Sequence, residues 1–242
     1  MSGKAHYGRI LLKISGEAMC QPGQAGIDTT AIAGVIKEVK PVLAMGVQVA
    51  MVVGGGNFIR GRDLQGSPMI GRVTADHMGM LATVINAIAM RDSMLAAGLA
   101  AEALSAITVP QVCPAFSAFS ARQLLSAGQV VILGGGTGNP FFSTDMCAAL
   151  RANEVGAEVL LKATKVDGVY DRDPLAGPGA RRYDRLSYRK VLADRLGVMD
   201  LTAVSMCMET SLPIVVFKLD EPGNLLQAVT GKPVGTRVDE QG

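Results

Sequence analysis

Short apolar runs recur along the chain, separated by segments with a helical repeat. RILLKI at 9–14, VQVAMVV at 47–53, QVVIL at 129–133, EVLLKA at 158–163 and PIVVF at 213–217 are almost wholly apolar. Runs of this length without polar alternation predict strands buried on both faces, the habit of parallel sheets. Between them the period changes. Ile27 and Ile32 bracket Asp28 as a hydrophobic staple around an N-cap, and Val35, Ile36, Val39, Val42 and Leu43 share a helical face that ends at Gly46. Pro41 is expected to kink or interrupt this helix, because it lacks an N–H and crowds the preceding turn. A longer helical segment, 76–98, carries Met78, Leu81, Ile85 and Ile88 on one face and Met80, Val84 and Ala87 on another. A helix apolar nearly all round is either central or shared with another subunit. The subunit contact is favoured here, since a helix that only covers a sheet keeps a polar face. Strands alternating with helices predict an α/β protein: a mostly parallel sheet, helices on both faces, right-handed crossovers. The Gly/Pro-rich stretch 173–182 is the best loop or lobe junction within one continuous sheet.

Three of the predicted strands end in bare backbone. LLKISGE places Lys13 at the end of the first strand, with Ser15 and Gly16 in the next turn. GGGN at 54–57 follows the second strand and precedes Arg60 and Arg62. GGGTGNPFFSTD at 134–145 follows QVVIL, with a helix expected from Ser143 or Thr144. In a parallel sheet these carboxyl ends share one edge, so glycine amides, a helix amino end and the cations Lys13 and Arg60 converge on more than one phosphate group. The spelling excludes two familiar cradles. Neither GK dipeptide is followed by Ser or Thr, and neither glycine run completes G-x-G-x-x-G. KATKVDGVYDRDP at 162–174 adds Lys162 and Lys165 at a strand end, with Tyr170 placed to cover a base and Asp173 to meet a ribose or metal. The same stretch also reads as a β-hairpin closed by an Asp-Gly turn.

Composition narrows the classes. The chain has 242 residues, 49% hydrophobic and 18% charged, which fits a globular protein with a substantial core and excludes disorder or a coiled coil. A net charge of +2 gives no general pull toward nucleic acid, and the five basic residues of GARRYDRLSYRK, 179–190, read as a solvated face. With no Trp, a base-stacking platform is not expected. No apolar stretch reaches the length needed to span a bilayer and the opening residues lack a signal-peptide core, so a cytoplasmic location is expected. Cys20, Cys113, Cys147 and Cys207 lack C-x-x-C spacing and, with only His6 and His77 available, read as reduced, mostly buried thiols rather than a zinc site. His77, beside Asp76, reads as a hydrogen-bonded structural residue.

LLKISGEA, VVGGGNFIRG, DHMGMLATVINAIAMRD, GTGNPFFSTD, LLKATKVDGVYDRDP and VMDLTA together resemble the bacterial UMP kinases of the amino acid kinase superfamily, from Arg9 to about Arg237. DHMGMLAT and TGNPFF separate that family from the acetylglutamate, glutamate, aspartate and carbamate kinases that share its fold. The resemblance implies a three-layer α/β/α sandwich spanning 1–242, with a UMP-binding lobe to about 155 and an ATP-binding lobe from about 156. It implies ATP-dependent phosphorylation of UMP to UDP in pyrimidine nucleotide biosynthesis, with Mg²⁺ carried by the nucleotide phosphates. A homohexamer, GTP activation and UTP inhibition are implied too; neither a membrane nor a nucleic acid is. Lys13, Ser15, Gly16, Gly56, Arg60, Thr164, Tyr170 and Asp173 would hold ATP. Gly55, Asp76, Thr137, Gly138, Asn139, Pro140, Phe141, Phe142, Ser143 and Thr144 would hold UMP. Asp145 and Asp200 would join Lys13 and Arg60 in catalysis by organising lysines and metal, with Asp145 also capping helix amides. Gln21, Pro22, Gly23, Gln24, Ala25 and Gly26 match the region tied to GTP. Ser143 stands where Thr is common, and Tyr170 where Phe also occurs. Two alternatives share the fold: a kinase for a carboxylate or carbamate, which should lack the DHMGMLAT element, and a non-catalytic assembly that stores oxoanion clusters.

Overall fold

The structure, a computed structural model, describes residues 4–59, 69–172, 179–197 and 199–242. Along the chain run β1 (Arg9–Ile14), α1 (Thr29–Leu43), β2 (Gln48–Val53), α2 (Arg72–Ala96), β3 (Ala101–Ser105), α3 (Ala118–Ser126), β4 (Val130–Gly134), α4 (Thr144–Val155) and β5 (Val159–Thr164). They are followed by β6 (Val169–Tyr170), β7 (Arg182–Tyr183), β8 (Arg185–Ser187), α5 (Tyr188–Ala193), α6 (Leu201–Glu209), β9 (Ile214–Lys218), α7 (Asn224–Val229) and β10 (Thr236–Asp239). The main sheet has the order β3-β4-β2-β1-β5-β9-β10-β8. Its pairs are parallel except β9 with β10.

Each apolar run is buried on both faces because successive side chains enter different cores. Ile10, Leu12 and Ile14 of β1 join Met51 of β2, Ile132 of β4 and Phe217 of β9 in one cluster, together with α1, α2 and α7. Leu11, Val52, Leu133 and Val216 point the other way, into a cluster with α3, α4, α5 and α6. The two-residue period of a strand thus builds a helix–sheet–helix sandwich. Strand order reverses around β1: the chain lays β2, β3 and β4 on one side of it and then returns through α4 to β5 on the other. At such a switch point the crevice outside the strands' carboxyl ends is where ligands bind. Lys13, Ser15 and Gly16 stand at that end of β1.

Asp28 caps α1, its Oδ1 accepting from the amides of Thr30 at 2.7 Å and Ala31 at 3.0 Å. Of the two outcomes expected of Pro41, interruption does not occur: the helix continues to Leu43. An interior proline costs about 3 kcal/mol. Here it falls in the last turn, and its neighbours Val39 and Val42 are fully buried, each contributing about 1.5–3 kcal/mol. The Asp167–Gly168 turn closes no hairpin, because β6 pairs instead with β7. α2 also corrects the expectation on apolar length, since by length and composition alone it could cross a bilayer. It is a helix of the core: Met80, Val84, Ala87, Met90 and Met94 are buried against the sheet, and so are the polar Thr83 and Asn86.

All four cysteines are free and buried. Burial pushes the Cys147 thiol up to about 11 and the Cys207 thiol up to about 12. The native protein is therefore expected to resist a thiol-specific chromogenic reagent at mildly alkaline pH and to react completely in denaturant. Prompt reaction of a native thiol would contradict this packing.

Candidate active site

Lys13 and Lys162 lie directly opposite one another in the β1–β5 register. They share parity with Leu11 and Leu160, so both project to the α4 side of the sheet. There Asp145, in the first turn of α4, takes one lysine on each oxygen: Lys13 Nζ lies 2.8 Å from Oδ1 and Lys162 Nζ 2.8 Å from Oδ2. The three side chains are only 10%, 13% and 14% exposed, so the trio sits where charges interact strongly. Burial alone would raise the Asp145 pKa, but the two ammoniums outweigh it and hold the carboxyl below its usual range. Burial lowers the Lys162 pKa, with Lys13 adding to the effect and Asp145 opposing it. The trio itself, two cations and one carboxylate, carries a net positive charge, with the Asp200 carboxylate near enough to act on Lys162.

Ser143, and not Asp145 as expected, caps α4: its Oγ accepts from the amides of Asp145 and Met146 at 3.1 Å each. The Ser143 hydroxyl donates in a short bond to Asp200 Oδ2. Asp200 caps α6, its Oδ1 accepting from Ala203 N at 2.9 Å. Asp145 is thereby freed from capping to bind lysines.

Beside the trio a cleft of about 430 Å³ opens between the glycine loops and α2. Gly55, Asp76, Thr137, Asn139, Phe142, Ser143 and Thr144 line it, with Gly56 beside Gly55. Gly138, Pro140 and Phe141 belong to the same loop but not to the lining. Asp76 holds that loop: Oδ2 accepts from Phe141 N at 2.8 Å, and both oxygens accept from Arg72 Nε. Phe141 has φ 71°, rare for a bulky side chain. Gly135 needs to be glycine twice over, with φ 75° and a position where a Cβ would lie 2.8 Å from the amides of Ala106 and Ile107.

Ser15 caps the 3₁₀ turn Gly16–Met19 that follows β1. Thr164 closes the end of β5 by accepting from Val166 N at 3.2 Å. Tyr170 donates to Asp167 Oδ1 at 2.6 Å. Neither Thr164 nor Tyr170 lines the cleft. Lys165 pairs with Glu17, which lines the cleft. In the stretch from Gln21 through Pro22, Gly23, Gln24 and Ala25 to Gly26, Gly26 N donates to Asn57 O at 2.9 Å. Arg60, Arg62 and Asp173 lie outside the described residues. His77 corrects the sequence reading: it is exposed, with no hydrogen bond among the described residues.

Several residues of the site escape sequence reasoning. Thr83 accepts from Gly135 N at 2.8 Å, and buried Arg151 donates to Gly136 O at 3.1 Å while lying 4.0 Å from the Phe116 ring centre. Both steady the 134–141 loop from below. A polar residue inside an otherwise buried helical stripe was the available signal. No cluster of three or more His, Cys, Asp or Glu suited to a metal exists among the described residues. Asp145 is already taken by lysines. The donor set fits Mg²⁺ held through nucleotide phosphates, with at most one or two carboxylates behind it, rather than an all-protein cage.

Comparison with protein families matches residues 8–218 to the amino acid kinase family. A uridylate kinase of Pseudomonas syringae pv. syringae (strain B728a) is 49% identical over 237 residues, covering 98% of this chain and 96% of that protein. Among solved structures, the UMP kinase from Bacillus anthracis has TM-score 0.94 and 32% identity over 98% of this chain and 97% of that one. The UMP kinase from Ureaplasma parvum gives 0.89 and 34%, over 96% of this chain and 98% of the other.

Proposed function

This chain belongs to the amino acid kinase family, and we propose that it transfers the γ-phosphoryl group of ATP to UMP, releasing ADP and UDP. The Lys13–Asp145–Lys162 trio, set beside a glycine-walled cleft, is the observation that carries the reading. Bringing two nucleotides together crowds about six negative charges, and their repulsion is the main barrier. Lys13 and Lys162 would face the transferred phosphoryl, while Lys165 is engaged with Glu17 at the cleft wall. Each well-placed donor is worth about 2.7–4 kcal/mol in the transition state. An oxygen of the UMP phosphate attacks the γ-phosphorus, and the bond to the β–γ bridging oxygen breaks as ADP leaves. A phosphate monoester has its second pKa near 6, so the attacking oxygen carries no proton at neutral pH and no general base is needed. Mg²⁺ bound to the phosphates would neutralise part of their charge.

In this reading Gly55, Asp76 and the 137–144 loop take UMP, with Asp76 toward the ribose. Ser15, Gly16, Gly56, Thr164 and Tyr170 take ATP, joined by Arg60 and Asp173. The halves to about 155 and from about 156 serve the two nucleotides. We read the enzyme as a cytoplasmic homohexamer, with Leu81 and Ile85, exposed on α2, suited to a subunit contact. GTP activation through 21–26 and UTP inhibition complete the proposal. A coupled assay of ADP release tests it. UMP should be the preferred acceptor over CMP, acetylglutamate should be inert, and GTP and UTP should shift the rate in opposite directions. A purified protein that binds ATP yet releases no ADP with UMP would overturn the kinase reading in favour of a storage assembly.

A further inference from the structure

We infer that Asn57 and Asn86 form a neutral positioning clamp that sets the spacing between the donor and acceptor phosphate loops. The inference rests on the kinase reading above. Both residues are buried, at 3% and 0% exposure. Their carboxamides bond reciprocally: Asn57 Nδ2 donates to Asn86 Oδ1 at 3.0 Å, and Asn86 Nδ2 to Asn57 Oδ1 at 2.7 Å. The second N–H of each amide is also used. Asn86 Nδ2 donates to Gly54 O at 2.7 Å, and Asn57 Nδ2 to Gly26 O at 2.7 Å.

These bonds join three pieces of chain, and a close contact brings in a fourth. Asn86 belongs to α2, which also carries Asp76 and Thr83, the residues that hold the 134–141 loop. Asn57 ends the 54–57 loop, and its own carbonyl accepts from Gly26 N. Its Oδ1 presses against the loop after β1, where a Cβ on Gly16 would lie 2.5 Å from it. The α2 rail therefore indexes the acceptor side through Asp76 and Thr83, and the loops after β1 and β2 through Asn86 and Asn57. Only a carboxamide pair meets every one of these groups with both donor and acceptor. Being uncharged, it fixes the loops without competing for phosphate oxygens or altering the field that Lys13 and Lys162 supply. Asn86 touches neither the cleft nor the trio, so it acts on the reaction through the loops alone.

Alignment and affinity separate in the test. Calorimetry would measure ATP, UMP and a bisubstrate compound joining adenosine to uridine 5′ to 5′ through a polyphosphate chain, on wild type, Asn86→Ala and the milder Asn86→Ser. Single nucleotides should bind within about twofold of wild type. The bisubstrate, which must span both loops, should weaken about tenfold or more, and kcat should fall about 10- to 100-fold. An unchanged bisubstrate-to-nucleotide ratio overturns the clamp. So does a uniform loss of all three affinities, which is what a merely structural role would give. If Asn86→Ala does not fold, the ratio in Asn86→Ser decides. A wild type that releases no ADP with UMP would instead sink the kinase reading, which distinguishes that failure from failure of the clamp.

Discussion

Asp145→Asn is expected to lower kcat by about two to three orders of magnitude while changing the KM for UMP by less than about threefold. The reason is the trio's geometry. Asparagine keeps the shape but can accept from only one of two ammoniums that lie opposite each other in the strand register, and its NH₂ would confront the other. Without Asp145 the two buried lysines lose the carboxylate they share, leaving Asp200 to favour the charged form of Lys162. Burial already lowers the Lys162 pKa and Asp145 opposes that fall, so removing the carboxylate should drive it down further. The ratio of variant to wild-type kcat should then fall as pH rises through the lowered lysine value and recover in part at lower pH, the titration of the UMP phosphate near pH 6 being common to both proteins. Stability carries the opposite sign. The folded pKa of Asp145 is depressed, so its contribution is present above the ordinary carboxylate range and disappears as acid protonates it. Steady-state kinetics against pH, with thermal unfolding of both proteins, checks each part. A rise in the KM for UMP with kcat intact would assign Asp145 to substrate binding.

The central strands are legible in the sequence because burial on both faces leaves an uninterrupted apolar signal, as in RILLKI and QVVIL. β3, AEALS, gives almost none. It is short, lacks β-branched residues and carries Glu102, and it becomes a strand because β4 presents an unpaired edge, with Ala101 opposite Val130. The glycine loops announce a site because their composition is local. The pairing of Lys13 with Lys162 does not: it is a property of register between segments far apart in the chain. Nor does the DG turn reveal its partner, since β7 lies beyond it in a segment with little strand character of its own. Thr83 and Asn86 hide within an apolar helix, where a reading of faces counts them as small interruptions. Their function appears only once the glycine amides and carbonyls that need partners are placed against them.

Gly16→Ala is expected to cut kcat/KM for ATP by at least about 100-fold, because it strikes the point where the loops after β1 and β2, proposed to hold phosphate, touch. A Cβ there would lie 2.5 Å from Asn57 Oδ1, 2.7 Å from Gly54 O and 2.7 Å from Gly56 N. Two of these neighbours are backbone, and the third is held by the amide pair with Asn86, so none can rotate away. The loops must separate, at a cost of about 1–3 kcal/mol of overpacking strain. A displacement of order 1 Å also carries the glycine amides off the phosphate oxygens they should meet. Two comparisons isolate that cause. Gly34, exposed in α1 with nothing within 4 Å of an added Cβ, should accept alanine with unchanged activity and a gain of about 0.5–1 kcal/mol in stability, the usual helix preference. Gly56→Ala also meets open space and should fold normally. Its Cβ would still hold phosphate away from the neighbouring amide, so the KM for ATP should rise without the stability loss of Gly16→Ala. Kinetics and unfolding of the three variants would show whether loop spacing or simple loss of a glycine governs the site. Near-normal kcat/KM in a folded Gly16→Ala enzyme would mean that the contact between the two loops plays no part in aligning the nucleotides.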